Sequence, residues 1–134
     1  MNQDADPHAT APQRNEILLV DDDAATVELY SLVLSQMGHD VTAAASVAQA
    51  QACCERHPFD LVISDIRLCD GSGLQLMTYL QAHCRTRGIA LSGLSMSEDV
   101  QLSLQAGFAT HLTKPVDIDT FEKTVAAVLA RPLN

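Results

Sequence analysis

An α/β fold of the (βα)5 kind, a parallel sheet covered by helices on both faces, is the class this sequence predicts. Three observations carry it. Short apolar runs alternate with amphipathic stretches of helical period from residue 16 to about residue 130. The runs at 17–20 and 61–63 are apolar throughout, as strands buried on both faces are. Chemistry-bearing residues stand where the runs stop: Asp21, Asp22 and Asp23 after the first, Asp65 after the third, Ser92 after the fourth and Lys114 after the fifth. In a parallel α/β sheet, that edge is where ligands bind.

Each element has its own signal. Residues 16–21 form the first strand. A helix over 24–37 follows, with Val27, Tyr30, Val33, Leu34 and Met37 on one face and Gly38 suited to the position just past its end. Residues 41–45 are a short strand. Ser46 caps a helix reaching His57, with Val47, Ala50 and Cys54 inward, and Pro58 stops it. Residues 60–65 are the next strand. Asp70, Gly71, Ser72 and Gly73 make a turn into a helix over 74–85 with Leu74, Met77 and Leu80 on its inner stripe. Residues 89–93 are the fourth strand, Ser97 caps a helix over 98–106, and Gly107 ends it. Residues 109–113 are the fifth strand. Asp117 or Asp119 caps a final helix whose apolar face is Phe121, Val125, Val128 and Leu129.

The 134 residues suffice for one domain with one core, assigned to residues 16–131, and show no internal repeat. Residues 1–15 carry Pro7 and Pro12 and little to bury, so they read as a disordered leader rather than a secretory signal; 132–134 are a short tail. The chain is 47% hydrophobic but 4% aromatic, so the core is built from Leu, Val, Ile and Ala. No stretch is long enough to span a membrane. The net charge of −9 and the presence of only two lysines, Lys114 and Lys123, argue against nucleic acid as a partner. Cys53, Cys54, Cys69 and Cys84 lack zinc spacing. They are expected as reduced thiols in a cytoplasmic protein, with Cys53, Cys54 and Cys84 acting as small buried or half-buried hydrophobes.

The flavodoxin-like doubly wound strand order 2-1-3-4-5 has its switch point between strands one and three. Those strands end in Asp21, Asp22 and Asp65, so the order brings together carboxylates 43 residues apart. Carboxylates that close repel unless a cation joins them, which points to Mg²⁺ and a phosphoryl group.

Six motifs in order, ILLVDDD (17–23), DLVISD (60–65), DG (70–71), LSG (91–93), AGF (106–108) and LTKP (112–115), make the chain resemble the CheY-like receiver domain of two-component response regulators over about residues 15–131. The stretches IALSG and AGFATHLTKPVD are most similar to receivers attached to hybrid sensor histidine kinases. The resemblance implies that Asp65 accepts a phosphoryl group and that Asp22, Asp65 and the backbone carbonyl of Arg67 ligate Mg²⁺. Asp21 would hold the metal mainly through water. Ser92 would hydrogen-bond a phosphoryl oxygen, and Lys114 would pair with Asp65 before the reaction and with the phosphoryl group after it. The Lys114–Pro115 bond would be cis. The donor would be a sensor histidine kinase or a histidine phosphotransfer protein, and the output a changed surface on the fourth helix, fifth strand and fifth helix (97–106, 109–113 and 117–131). Such a domain promotes its own phosphorylation and dephosphorylation and is no enzyme toward other substrates. The downstream protein target is not named by any motif.

Some positions depart from the family. His111 stands where an aromatic switch residue is common and is read as that residue, moving with Ser92. Cys69 replaces a usual proline, a tolerated loop substitution that loosens the loop after Asp65. Leu94 and Arg67 flank the phosphoryl position and predict slow self-dephosphorylation. Asp23 is read as a helix N-terminal charge, Asp70 as a turn residue, and His8, His39, His57 and His83 as solvated. No output domain follows the last helix; Met1 and the leader favour a stand-alone regulator, whereas the hybrid-kinase likeness favours an excised receiver.

Three other functions compete. A receiver-like interaction module without phosphorylation would lose one of the acidic, Ser or Lys positions, and all are present. A haloacid-dehalogenase-like phosphatase wants Gly-Thr after its first acidic pair, where this chain has Asp23 and Ala24. A flavodoxin needs a Ser, Thr and Gly loop to cradle phosphate, and here that loop is a cluster of carboxylates.

Overall fold

The structure is a computed structural model that describes residues 14–84, 86–93 and 97–131. Its elements are β1 (Glu16–Val20), α1 (Ala24–Gln36), β2 (Asp40–Ala44), α2 (Val47–Arg56), β3 (Leu61–Asp65), β4 (Arg67–Leu68), β5 (Gly71–Ser72), α3 (Gly73–His83), β6 (Arg87–Ser92), α4 (Ser97–Ala106), β7 (Thr110–Thr113) and α5 (Ile118–Leu129). Five strands form one parallel sheet in the order β2-β1-β3-β6-β7. These are the five predicted strands, so the order is the expected doubly wound 2-1-3-4-5.

Side chains alternate across the sheet and make two apolar layers. Leu18, Val20, Val62 and Ala90 face α2 and α3 with Val47, Ala50, Leu76, Met77 and Leu80. Ile17, Leu19, Leu61, Ile63, Ile89 and Leu91 face α1 and α5 with Tyr30, Val33, Leu34, Phe121, Val125 and Val128. Cys53, Cys54 and Cys84 are half-buried against the first layer, as expected of small hydrophobes. No helix among the described residues is long and apolar enough to cross a membrane.

Helix ends follow the capping rules. Asp23, Ser46 and Asp117 cap α1, α2 and α5, accepting from the N–H groups of Thr26, Gln49 and Thr120. Gly38 and Gly107 follow α1 and α4 with φ of 99° and 115°, the left-handed region where a side chain is strained.

Two details differ from expectation. The predicted turn at Asp70–Gly73 is a tight antiparallel hairpin, β4 on β5, with Arg67 opposite Ser72 and Leu68 opposite Gly71. The inner face of α3 is the stripe Gly73, Leu76, Met77 and Leu80, spaced i, i+3, i+4 and i+7, and Leu74 packs half-buried at its edge; Ser72 caps the helix, which starts one residue early. The predicted cap at Ser97 falls on a side chain that lies outside the described residues.

Candidate metal and phosphoryl site

Register places the site. Val20 pairs with Ser64, so the next residues along these neighbouring strands, Asp21 and Asp65, emerge side by side. Asp65 pairs with Leu91 and Ser92 with Thr113, which sets Ser92 and Lys114 one step beyond on the same edge. The backbone N–H of Lys114 donates to the Ser92 carbonyl at 2.7 Å, extending the ladder past β7. The Lys114–Pro115 peptide is cis.

Lys114 Nζ bridges two carboxylates, 3.0 Å from Asp21 Oδ2 and 3.0 Å from Asp65 Oδ2. Asp21 is buried, and its Oδ1 accepts the Asp23 N–H at 2.9 Å. The Asp65 side chain is 13% exposed, and its Oδ1 accepts the Arg67 N–H at 3.1 Å. Asp22 is exposed, and one oxygen from each of Asp21, Asp22 and Asp65 lies within 4.8 Å of the others. The pairing of Lys114 with Asp65 matches expectation. Its equal bond to Asp21 has no sequence signal, since the two residues lie 93 positions apart.

Burial is the largest influence on Asp21 and raises its pKa above the ordinary 3.8, against the Asp23 N–H and the Lys114 ammonium, which lower it. Burial pulls the Lys114 pKa down, but hydrogen bonds to Asp65 and Asp21 and their charges outweigh it, and the net shift is upward. The Asp21 shift is thus mainly a burial effect, whereas the Lys114 shift comes from the two carboxylates it bridges. The donors are hard oxygens, partly open to water, which is the set a divalent cation such as Mg²⁺ takes. The cluster can therefore hold a metal.

The remaining predicted residues are placed as follows. Ser92 is buried at the end of β6. Arg67 opens β4 with its side chain exposed. His111 is half-buried on β7, in register with Ala90. Cys69 is exposed, 3.9 Å from the Ala45 carbonyl oxygen. Leu94 lies outside the described residues.

Sequence reasoning missed two supports. The Tyr30 hydroxyl donates to the Val116 carbonyl and accepts its N–H, each at 3.3 Å, anchoring the segment just after Lys114 and Pro115. Asp70 is more than a turn residue: its two oxygens accept the N–H groups of Val47 at 2.8 Å and Ala48 at 3.1 Å at the start of α2. A cap supplied from 23 residues away leaves no local spacing to read.

The family pattern described as the response regulator receiver domain matches residues 17–126. The chain belongs to that family. It is a receiver domain whose acidic pocket is formed by Asp21, Asp22 and Asp65, with Lys114 across it. The receiver is 37% identical over 117 residues to the response regulator protein PilR of Pseudomonas aeruginosa, covering 87% of this chain and 26% of that protein. It thus spans about a quarter of the length of that curated relative. Among solved structures, a putative response regulator from Chloroflexus aurantiacus superposes with a TM-score of 0.84 at 26% identity, over 89% of this chain and 100% of that one. A BeF3-activated DrrB receiver domain superposes with a TM-score of 0.79 at 27% identity, over 89% and 100%. None of the three bears on the finer likeness to hybrid-kinase receivers.

Proposed function

We propose that this receiver accepts a phosphoryl group on Asp65 from a phosphohistidine, carried by a sensor histidine kinase or a histidine phosphotransfer protein in the cytoplasm. The observation that carries the reading is the Lys114 bridge between Asp21 and Asp65 inside an oxygen cluster fit for a divalent cation. Asp22, Asp65 and the Arg67 carbonyl would ligate Mg²⁺, with Asp21 acting mainly through water. When bound, the metal offsets the charge of the phosphoryl oxygens. A carboxylate is repelled by an anionic donor, so transfer needs charge neutralisation and in-line placement more than covalent help.

The chain's own groups supply the rest. Lys114 holds Asp65 Oδ2, and the Arg67 N–H holds Oδ1, so the carboxylate is oriented before a donor arrives. Lys114 can then move from carboxylate to phosphoryl oxygen, and the Ser92 hydroxyl takes another. Ser92 and Lys114 are joined through the backbone at 2.7 Å, so recruiting either one shifts the start of the loop after β6 and the end of β7. That movement, with His111 following, would reshape the surface of α4, β7 and α5 for a protein target. The receiver unit is assigned to residues 16–131, supported by β1 starting at Glu16 and α5 ending at Leu129; Asn15, placed in the leader, is bonded to His39 and Asp40 and belongs with the unit.

Intact-mass measurement after incubation with acetyl phosphate, with and without Mg²⁺, tests the reading. A single Mg²⁺-dependent phosphoryl adduct, lost in Asp65→Asn, is expected. A folded protein with no adduct in any condition would sink it.

A further inference from the structure

We propose that Asp70 is a positioning residue for the metal site. By clamping the β4–β5 hairpin onto the first turn of α2, it holds the Arg67 backbone, and with it the carbonyl assigned to the metal. This rests on the reading of the acidic cluster given above.

The hairpin cannot hold itself. Each of its strands is two residues long, far below what an isolated hairpin needs for stability. Its position is therefore set by what it touches. At its root, the Arg67 N–H binds Asp65 Oδ1, and the Gly73 N–H binds the Ile66 carbonyl at 2.8 Å. Gly73 lies so close to the strand that a Cβ there would sit 2.2 Å from the Asp65 carbonyl oxygen. Leu68 enters the core on one side. At the tip, Asp70 spends both oxygens on α2, taking the Val47 N–H at 2.8 Å and the Ala48 N–H at 3.1 Å. Gly71 lies against the same residue: a Cβ built there would be 3.3 Å from Val47 Cγ2.

Helix α2 already has a local cap, since Ser46 Oγ takes the Gln49 N–H at 3.1 Å. Asp70 therefore does something Ser46 does not: it joins the loop following the phosphoryl acceptor to a different element. The connected path runs from α2 through Asp70 and the paired strands to Arg67 and Asp65. Loss of the clamp removes both bonds from the hairpin tip to α2 and leaves Arg67 held by its root, through Asp65, Ile66 and the pairing with Ser72, by Leu68 in the core and by the long Cys69 contact to the Ala45 carbonyl; a less firmly held ligand binds metal less well. Supporting groups of this kind are worth tenfold or more in metal affinity.

Isothermal calorimetry of Mg²⁺ binding on the full chain tests the clamp, with thermal unfolding measured alongside. Asp70→Ala is expected to raise the Kd for Mg²⁺ roughly tenfold. Asp70→Asn, which keeps one of the two acceptor oxygens, should raise the Kd less than Asp70→Ala does. Ser46→Ala removes a cap from the same helix without touching the hairpin, so it should lower the Tm and leave the Kd unchanged. An unchanged Kd in Asp70→Ala, or equal weakening in Ser46→Ala, overturns the clamp. Wild-type protein that binds no Mg²⁺ overturns the assignment of the metal site, and the clamp with it. A normal wild-type Kd that Asp70→Ala leaves unmoved overturns the clamp alone.

Discussion

Cys54 and Cys69 show how placement sorts chemically identical side chains. Burial, with neighbouring Cys84 and Cys53, pushes the Cys54 thiol up to about 11, so roughly one molecule in a thousand carries its thiolate at pH 8. Cys69 is exposed. Alkylation with iodoacetamide at pH 8, followed by peptide mass mapping, should modify Cys69 well before Cys54; the reverse order would contradict this burial. His39 gives a pH-dependent counterpart and corrects the view of it as a solvated residue. It is half-buried, and its Nδ1 accepts the Asn15 N–H at 3.2 Å, which requires the neutral ring. Burial lowers its pKa below 6.5, opposed by the charges of Asp60 and Asp40; the latter also pairs with Arg14. A lowered histidine pKa contributes stability that is complete above the unfolded value of about 6.5 and is lost as pH falls through the folded one. The Tm should therefore fall more between pH 7.5 and 5.5 in wild type than in His39→Gln, and equal falls would refute the assignment. The contact itself was not legible, because it joins residues 24 positions apart in a part of the chain with no motif.

Among the elements, the helices were the most legible, and their caps explain why. Asp23, Ser46 and Asp117 were read or offered as helix N-terminal residues from position alone, since a cap and the N–H it binds lie three residues apart in sequence. Ser46→Ala should cost about 1 kcal/mol in denaturant unfolding. The β4–β5 hairpin was not legible. Two-residue strands leave no period to detect, and the pairing depends on Asp70 reaching α2. The α1–α5 contact was legible only as two apolar faces. Their meeting places Tyr30 on Phe121, with ring centroids 4.5 Å apart, and gives the Tyr30 hydroxyl its two bonds to Val116. Tyr30→Phe should lose about 1 kcal/mol, and Phe121→Ala about 3–5 kcal/mol, because it empties a fully buried position. Urea titration of each variant measures both.

For the molecule as a whole, the acidic edge gathers the charges that Lys114 holds together and a set of oxygens able to hold a metal. Lys114→Met leaves Asp21 and Asp65 facing each other with no counter-charge. The expected loss is about 3 kcal/mol, the low end for a broken buried pair, because Lys114 keeps a fifth of its exposure. Mg²⁺ should restore much of that loss, and at a hundredfold excess over its Kd it should stabilise the wild type by about 2.7 kcal/mol. A thermal shift that Mg²⁺ does not move in either protein would count against the metal site. The parallel (βα)5 class and the edge where the acidic, hydroxyl and ammonium groups gather could be deduced from the chain alone, and the order 2-1-3-4-5 was the choice that brought the carboxylates together. Alternating periods specify parallel strands with helices between them, and parallel strands all end on one side. Which of those groups touch could not be deduced. That Lys114 divides itself between Asp21 and Asp65, that Tyr30 anchors the segment after it, and that Asp70 ties the hairpin to α2 are contacts across 93, 86 and 23 residues. They exist because sheet register and helix packing bring distant backbone into hydrogen-bonding range, and a hydrogen bond is set by a few tenths of an ångström that no local pattern encodes.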